Sequence, residues 1–384
     1  MNRREWLKGC TAGLACAGVP RVLWGADDVN LSPRRAGVPL PVPASRAAGM
    51  YSVLAIGDTH YDRAPASVYH ASYPGPGVSA SLAEIQRAEF KRNGEMWASR
   101  IPRLLAAARR ARRDDTAFVV QVGDLIQGDC NDGEVHAQMA SDAFGAIKAA
   151  LGGDLPLRLV VGNHDIRNGA QDSAASFYRS WMTARMTEEC GKTIASTNFF
   201  YRQGPDLWVH VDFTQPSLPT IYEAFRSAPG ARYRFLVTHG PAMPSDGSSA
   251  SWMLFGSSDH TRRRELRKFL LDNDFIVVAG HMHTTELMEC QTDCGRFMQV
   301  IVNSVWKDES LAQFNPQCTR PDEYGRNQKT NDGRALLGEY KAALVRYVRS
   351  AAAGFMRLDV SPSGVVARMF GGDAAGPFAE WPLR

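Results

Sequence analysis

Along this chain one pattern recurs: a short apolar run that stops at a cluster of Gly, Asp, Asn and His. Ser52-Val53-Leu54-Ala55-Ile56 runs into Asp58-Thr59-His60, and Ala117–Val122 runs into Gly123-Asp124. Leu157–Val161 precedes Gly162-Asn163-His164-Asp165, Tyr233–Val237 precedes Thr238-His239-Gly240, and Phe275–Ala279 precedes Gly280-His281-Met282-His283. Runs this short and this uniformly apolar predict buried parallel strands. Their polar endings then fall at the strand carboxyl ends, where open α/β sheets bind ligands. Helix-period segments alternate with them: 82–113, with Ile101, Leu104, Leu105 and Ala108 on one face and a break expected near Ile101-Pro102, then 135–150 and 174–186. This β-α-β order implies a parallel sheet with right-handed crossovers. A strand pair is expected at 198–202 and 207–213, a further strand at 296–302, and a closing hairpin at 355–360 and 365–370 around Ser363-Gly364.

The N-terminus breaks the pattern. Arg3-Arg4, then Trp6-Leu7-Lys8, precede an apolar Gly/Ala-rich stretch from Cys10 to Val19. That stretch is too short to span a bilayer, has the order of a secretory signal, and resembles the twin-arginine export signal. The expected organisation is a signal peptide over 1–26, a Pro/Arg/Gly/Ala-rich linker over 27–49, a catalytic core over 50–305, and a C-terminal extension over 306–384 with closing strands of the same domain. The twin-arginine export machinery is then a partner, and the mature protein is periplasmic or extracellular. No transmembrane segment is expected after the leader.

Composition adds little beyond this. The 384 residues are 44% apolar, enough for a sizeable core, with a formal net charge of +4. Removing 1–26 removes Arg3, Arg4, Lys8 and Arg21 against Glu5, so the charge falls to +1. The mild basicity is a targeting property and gives no strong nucleic-acid signal. Five cysteines remain after the leader. Cys290 and Cys294 are the nearest pair for a disulfide, with reduced buried thiols as the alternative.

The five motifs supply Asp58, His60, Asp124, Asn163, His239, His281 and His283, an inventory of nitrogen and oxygen donors without a thiolate. That set points away from a structural zinc site. It suits two cations about 3.5–4 Å apart, which neutralise a phosphate ester and generate a metal-bound hydroxide near neutral pH. Such a site needs one carboxylate able to bridge both ions. His281 and His283, two residues apart in an extended segment, would present both imidazoles on one face.

The order and type of these motifs, over residues 50–305, resemble the calcineurin-like metallophosphoesterase superfamily. The resemblance implies an α/β sandwich, two central mixed β-sheets flanked by helices, with Asp58, His60 and His283 on one ion and Asn163, His239 and His281 on the other. Asp124 would bridge, and His164 would contact substrate and protonate the leaving oxygen. Manganese, iron and zinc all fit. The implied activity is hydrolysis of a phosphodiester, such as a cyclic nucleotide or a lipid head-group ester, by in-line attack. The alternatives are a phosphomonoesterase with the same metals, or a metal-binding scaffold without catalysis.

Two departures narrow the group. Leu125-Ile126-Gln127-Gly128 follows Asp124, and Asp165 follows His164, unlike the protein Ser/Thr phosphatases of the superfamily. Gln127 stands where purple acid phosphatases place a Tyr ligand. His164 must therefore be oriented by Asp165 or by a backbone carbonyl. His136, His210 and His260 fit no motif, while His70, in the loop after the first motif, is the one most expected to reach the site. Asp62 and Asn303 are candidates for supporting contacts. Specificity is expected in loops 61–81, 214–232 and 241–260, where Tyr69, Tyr73, Trp252 and Phe255 could stack on a base or cover a lipid glycerol. Residues 306–350 are expected either to cap the site or to form a surface excursion.

Overall fold

The computed structural model describes residues 49–167, 173–246, 252–256 and 259–384. The expected signal peptide and all but the last residue of the expected linker lie outside these. The elements are β1 (Tyr51–Ile56), α1 (Ser67–His70), α2 (Ala80–Arg110), β2 (Thr116–Gln121), α3 (Gly133–Leu151), β3 (Leu157–Leu159) and α4 (Ser173–Cys190). Next come β4 (Phe199–Gln203), β5 (Asp206–Val211), α5 (Leu218–Ser227), β6 (Arg234–Thr238), α6 (His260–Asp272), β7 (Phe275–Ala279), β8 (Thr285–Thr292) and β9 (Gly295–Ile301). The chain closes with β10 (Pro316–Cys318), α7 (Asn331–Lys341), β11 (Leu344–Ser350), β12 (Gly354–Ser361), β13 (Gly364–Gly371) and β14 (Ala379–Pro382).

These strands form two mixed sheets, in the orders β14-β13-β12-β1-β2-β3 and β10-β11-β8-β9-β7-β6-β5-β4. β1, β2 and β3 are parallel, as are β5, β6, β7 and β9. The sheets face one another across the main core, where Trp208 stacks on Phe235 at 4.0 Å and meets Phe118 edge-on at 5.0 Å. The Trp208 indole N–H donates to the Tyr51 hydroxyl across that core at 3.0 Å, so its one polar atom is satisfied. A second core, including Leu266, Leu270 and Leu337, fills the space between the eight-stranded sheet and its outer helices. With both faces covered, the central strands need to be apolar on both sides, which is why they read as continuous runs.

Several expectations need correction. α2 continues through Pro102, and Ile101, Leu104, Leu105 and Ala108 are all buried around it. The apolar face outweighs a proline penalty of about 3 kcal/mol. Residues 306–350 are neither a cap nor a loose excursion: β10 and β11 extend the eight-stranded sheet beyond β8. β8 and β11 escape an apolar-run search because both carry charges. Glu286 of β8 is buried and pairs with Arg349 of β11 at 3.1 Å. Cys290 is a free thiol packed into the second core, so the nearest cysteine pair does not close. No helix of the described residues is long and apolar enough to cross a membrane.

Candidate metal centre

β1, β2 and β3 of one sheet and β6 and β7 of the other end at the same rim, and each motif lies just past its strand. The first two motif loops run side by side through backbone hydrogen bonds: Asp58 N–H donates to Gly123 O (3.1 Å) and His60 N–H to Asp124 O (2.9 Å). Gly280 N–H donates to His239 O (2.9 Å) and ties the two loops of the second sheet. Ligand atoms from both sheets therefore meet without any long, flexible reach.

Three sets of side chains place one ligand atom each within 4.8 Å of one another: Asp58, His60 and His283; Asp124, His239 and His281; and His60, Asp124 and His164. The Asp124 Oδ2 atom lies 3.2 Å from His239 Nε2 and 3.7 Å from His60 Nε2. His283 Nε2 is 3.7 Å from Asp58 Oδ1 and 3.2 Å from His60 Nε2. On the other side His239 Nε2 is 3.2 Å from Asn163 Oδ1 and 2.9 Å from His281 Nδ1. All seven residues that the sequence singles out as ligands come together, and His164 joins them, its ring 4.4 Å from that of His60.

The backbone shows what this convergence demands. Among the described residues nine non-glycine residues have a positive φ, and five of them are Asp58 (54°), His60 (40°), Asp124 (51°), His281 (71°) and His283 (49°). The left-handed region costs about 1–2 kcal/mol for an L-residue, so the strain is concentrated on the candidate ligands. The extended His281-x-His283 geometry expected from the sequence is thus replaced by a left-handed turn. His281 faces His239 as a result, and His283 faces His60. Gly162 is needed for close approach, because a Cβ there would sit 2.2 Å from Asp124 Oδ1. Gly123 (φ 93°) combines a left-handed turn with contact to the His239 side chain.

The donor set fits cations. His239 Nδ1 faces the carbonyl of Val122 at 2.9 Å, which can only accept, so Nδ1 carries a proton and Nε2 points into the site. Burial would lower this imidazole, but Asp124 and Asp58 outweigh it and push it up to about 9, so a cation bound at Nε2 would replace a proton there. Burial pushes the His281 and His283 imidazoles down to about 3, leaving both neutral at pH 7 with lone pairs available; Lys307 adds to the effect at His283. Burial likewise pushes Asp58 up to about 8, against the pull of His239. Burial would raise Asp124 too, but His239, His164 and His60 outweigh it and hold the carboxyl below its usual range. Asp58 Oδ2 and His281 Nε2 are buried and, among the described residues, have no hydrogen-bond partner. Buried acceptors and neutral imidazoles packed this closely need positive charge among them.

Other expectations divide. The carbonyl of Gln127, not Asp165, orients His164, accepting from Nδ1 at 3.0 Å. Asp165 instead accepts from the backbone N–H groups of Asp124 (3.0 Å), Gly162 (2.8 Å) and Ile126 (3.2 Å), locking two ligand loops together. His70 does not reach the centre. It stacks on Phe90 at 3.6 Å and pairs with Asp62 at 3.0 Å, so Asp62 is also spent there. Asn303 bonds the Val305 N–H and Ala352 O, Tyr69 donates to Asp142, and Tyr73 to Gln86. His136 and His210 bond to the carbonyls of Asp165 and Leu159 inside the core.

Beside Asn163 and His281 a cleft of about 610 Å³ opens, lined also by Phe213, Trp252, Phe255, Asp259 and Arg262. Trp252 and Phe255 were candidates from the sequence; Phe213 and Arg262 were not, since nothing in their local pattern distinguishes them from ordinary loop residues.

A family model described as calcineurin-like phosphoesterase matches residues 51–285. Among curated proteins none matches the chain. Solved structures with a similar fold include PhoD, at 12% identity and a TM-score of 0.52, covering 89% of this chain and 70% of that one. Others are a purple acid phosphatase from yellow lupin (Lupinus luteus) seeds (11%, TM-score 0.49, 88% and 54%) and a dimetal phosphatase from Danio rerio (13%, 0.44, 87% and 99%). The chain spans about half the length of the lupin enzyme.

Proposed function

We propose that this chain, which belongs to the calcineurin-like phosphoesterase family, is a metal-dependent hydrolase of phosphodiesters. One observation carries the reading: a single buried carboxylate oxygen, Asp124 Oδ2, is shared between the His60 side and the His239 side of the site. Asp58, His60 and His283 would hold one ion and Asn163, His239 and His281 the other, with Asp124 common to both. Manganese, iron or zinc suits these donors, and when bound the pair neutralises ester charge and acidifies water.

The chain's own residues supply the rest. With Nδ1–H committed to Gln127 O, the proton that His164 can give lies on Nε2, where it is available to a departing oxygen. Burial of Asp58, Asp124 and His239 keeps the floor dry, so charges there act with little screening. The cleft beside Asn163 supports a diester over a monoester, since it gives room for an organic arm on phosphorus. Its described walls carry no charge apart from the Asp259–Arg262 pair. Export through the twin-arginine machinery belongs to the same proposal, resting on Arg3-Arg4 and the apolar run that follows.

The test is hydrolysis of a chromogenic phosphodiester beside its monoester, on residues 27–384, titrated with manganese and then with chelator. Metal-dependent turnover favouring the diester is expected. A monoester preference would replace the substrate class, and two bound metals with neither ester cleaved would leave the non-catalytic scaffold.

A further inference from the structure

The cleft beside the candidate metal centre is lined by three aromatic side chains, Phe213, Trp252 and Phe255. Trp252 is 57% exposed, yet its ring lies 5.4 Å from that of the candidate ligand His281, tilted by 38°. It is not a loose side chain on a loose loop. Met253 and Leu254 after it are buried, Leu254 N–H donates to Pro241 O at 2.8 Å, and Arg263 donates to Gly256 O at 2.8 Å. The turn is fixed to the core while the indole face is left bare.

Phe213 lines the same cleft, 5.0 Å from His281. Phe255 also lines the cleft, only 7% exposed, and has a φ of 67°, a conformation that a bulky residue rarely adopts. Among the described residues it is the only Phe, Tyr or Trp with a positive φ, and it is no metal ligand. Strain of this kind persists where the surroundings enforce it, and such places cluster at ligand clamps. Arg262 lies over the Phe255 ring at 5.0 Å and pairs with Asp259. Asp259 and Arg262, already paired with each other, therefore put a carboxylate and a guanidinium in the lining while adding no net charge. A second phosphate would want an excess of cations, and an acyl chain an enclosed apolar channel. A neutral planar ring with donors and acceptors on its edge wants what is there: the exposed indole of Trp252, aromatic neighbours and one charged pair of opposite signs.

We infer that the substrate's organic arm carries a planar aromatic ring of nucleobase type, stacked on Trp252 beside Phe213, with its polar edge toward Asp259 and Arg262. This rests on the phosphoester reading for the place of the phosphate at the metals, but its test does not need turnover. Binding of adenosine 5′-phosphate and of glycerol 3-phosphate is measured by calorimetry on the metal-loaded full chain, in the native protein and in Trp252→Ala and Trp252→Phe. The native protein is expected to favour the nucleotide by about tenfold to a hundredfold, the scale of one base–aromatic stack. The ratio should fall close to one in Trp252→Ala and be largely kept in Trp252→Phe. Equal native affinities, or a ratio unmoved by Trp252→Ala, would overturn the inference, as would tighter binding of a long-chain alkyl phosphate than of the nucleotide. If the ratio behaves as expected and no ester is hydrolysed, the aromatic subsite stands and the hydrolase reading falls.

Discussion

The metal centre and the cleft beside it share His281 and Asn163 but are built on opposite terms. At the centre five of seven candidate ligands hold left-handed backbone, and Asp58, Asp124 and His239 are almost completely buried. Backbone hydrogen bonds between loops and the Asp165 carboxylate leave each atom one place to be. The cleft is open, its principal ring is more than half exposed, and apart from Asn163 and His281 its lining comes from two segments, 213–216 and 252–262. Chemistry that needs particular atoms at fixed separations is built by strain and burial. Recognition of a flat surface needs only faces, which a few anchored side chains supply. Substitutions should therefore act on turnover and metal content at the centre, and on substrate choice with little cost to the fold at the cleft.

The largest break in that contrast is Asp124→Asn. It removes the charge common to both triads, so both metals should be lost together and hydrolysis should fall to the metal-free level. Metal analysis of the purified variant beside its turnover checks this. Two metals retained at native affinity would deny Asp124 its shared role. Next is His164→Ala, where metal content should be unchanged and turnover should fall by about 10²–10⁴-fold, as for loss of a general acid. Co-loss of a metal would instead make His164 a ligand, which its proximity to His60 and Asp124 allows.

How much of this was legible in the chain follows from the same contrast. Asp58, His60, Asp124, Asn163, His239, His281 and His283 could be read because each sits a fixed step beyond an apolar run, and a dinuclear site accepts few residue types. Their left-handed backbone could not be read, since Asp and His carry no sign of it as Gly does. His70 misled for a plain reason: proximity in sequence to Asp58 says nothing about which way a loop folds, and this one turns to stack on Phe90. Phe213 and Arg262 were invisible because their significance is only the cavity they share. β8 and β11 were hidden by Glu286 and Arg349, charges that neutralise each other across a pair of strands and spoil the apolar pattern of both.

A smaller effect sharpens the contrast on the side of packing. Gly162→Ala places a methyl 2.2 Å from Asp124 Oδ1, where the Asp165 clamp leaves no room to retreat. Overpacking of this kind costs about 1–3 kcal/mol, so thermal denaturation should show a clear loss of stability together with weaker metal binding. Trp252→Ala, on an exposed ring, should stay within about 0.5 kcal/mol of the native stability. A larger loss there would show that the indole is a structural prop and that the cleft is not a free surface.

Away from both regions, a buried histidine gives a reference for what burial does when no cation is in prospect. His210 has both ring nitrogens committed as a neutral imidazole: Nδ1–H donates to Leu159 O at 3.0 Å, and Nε2 accepts from the Tyr201 hydroxyl at 3.1 Å. Burial pushes it down to about 3, whereas in the unfolded chain it titrates near 6.5. Below pH 6.5 the unfolded state therefore takes up a proton that the folded state refuses. Stability should fall as the pH drops from 6.5 toward 3, with no contribution from this group above that window. Between pH 7 and pH 5.5 the loss is about 1 kcal/mol, read as a lower denaturant midpoint. His210→Gln should flatten that part of the curve. An unchanged acid slope in the variant would mean that other groups set it and that His210 takes its proton in the folded state too.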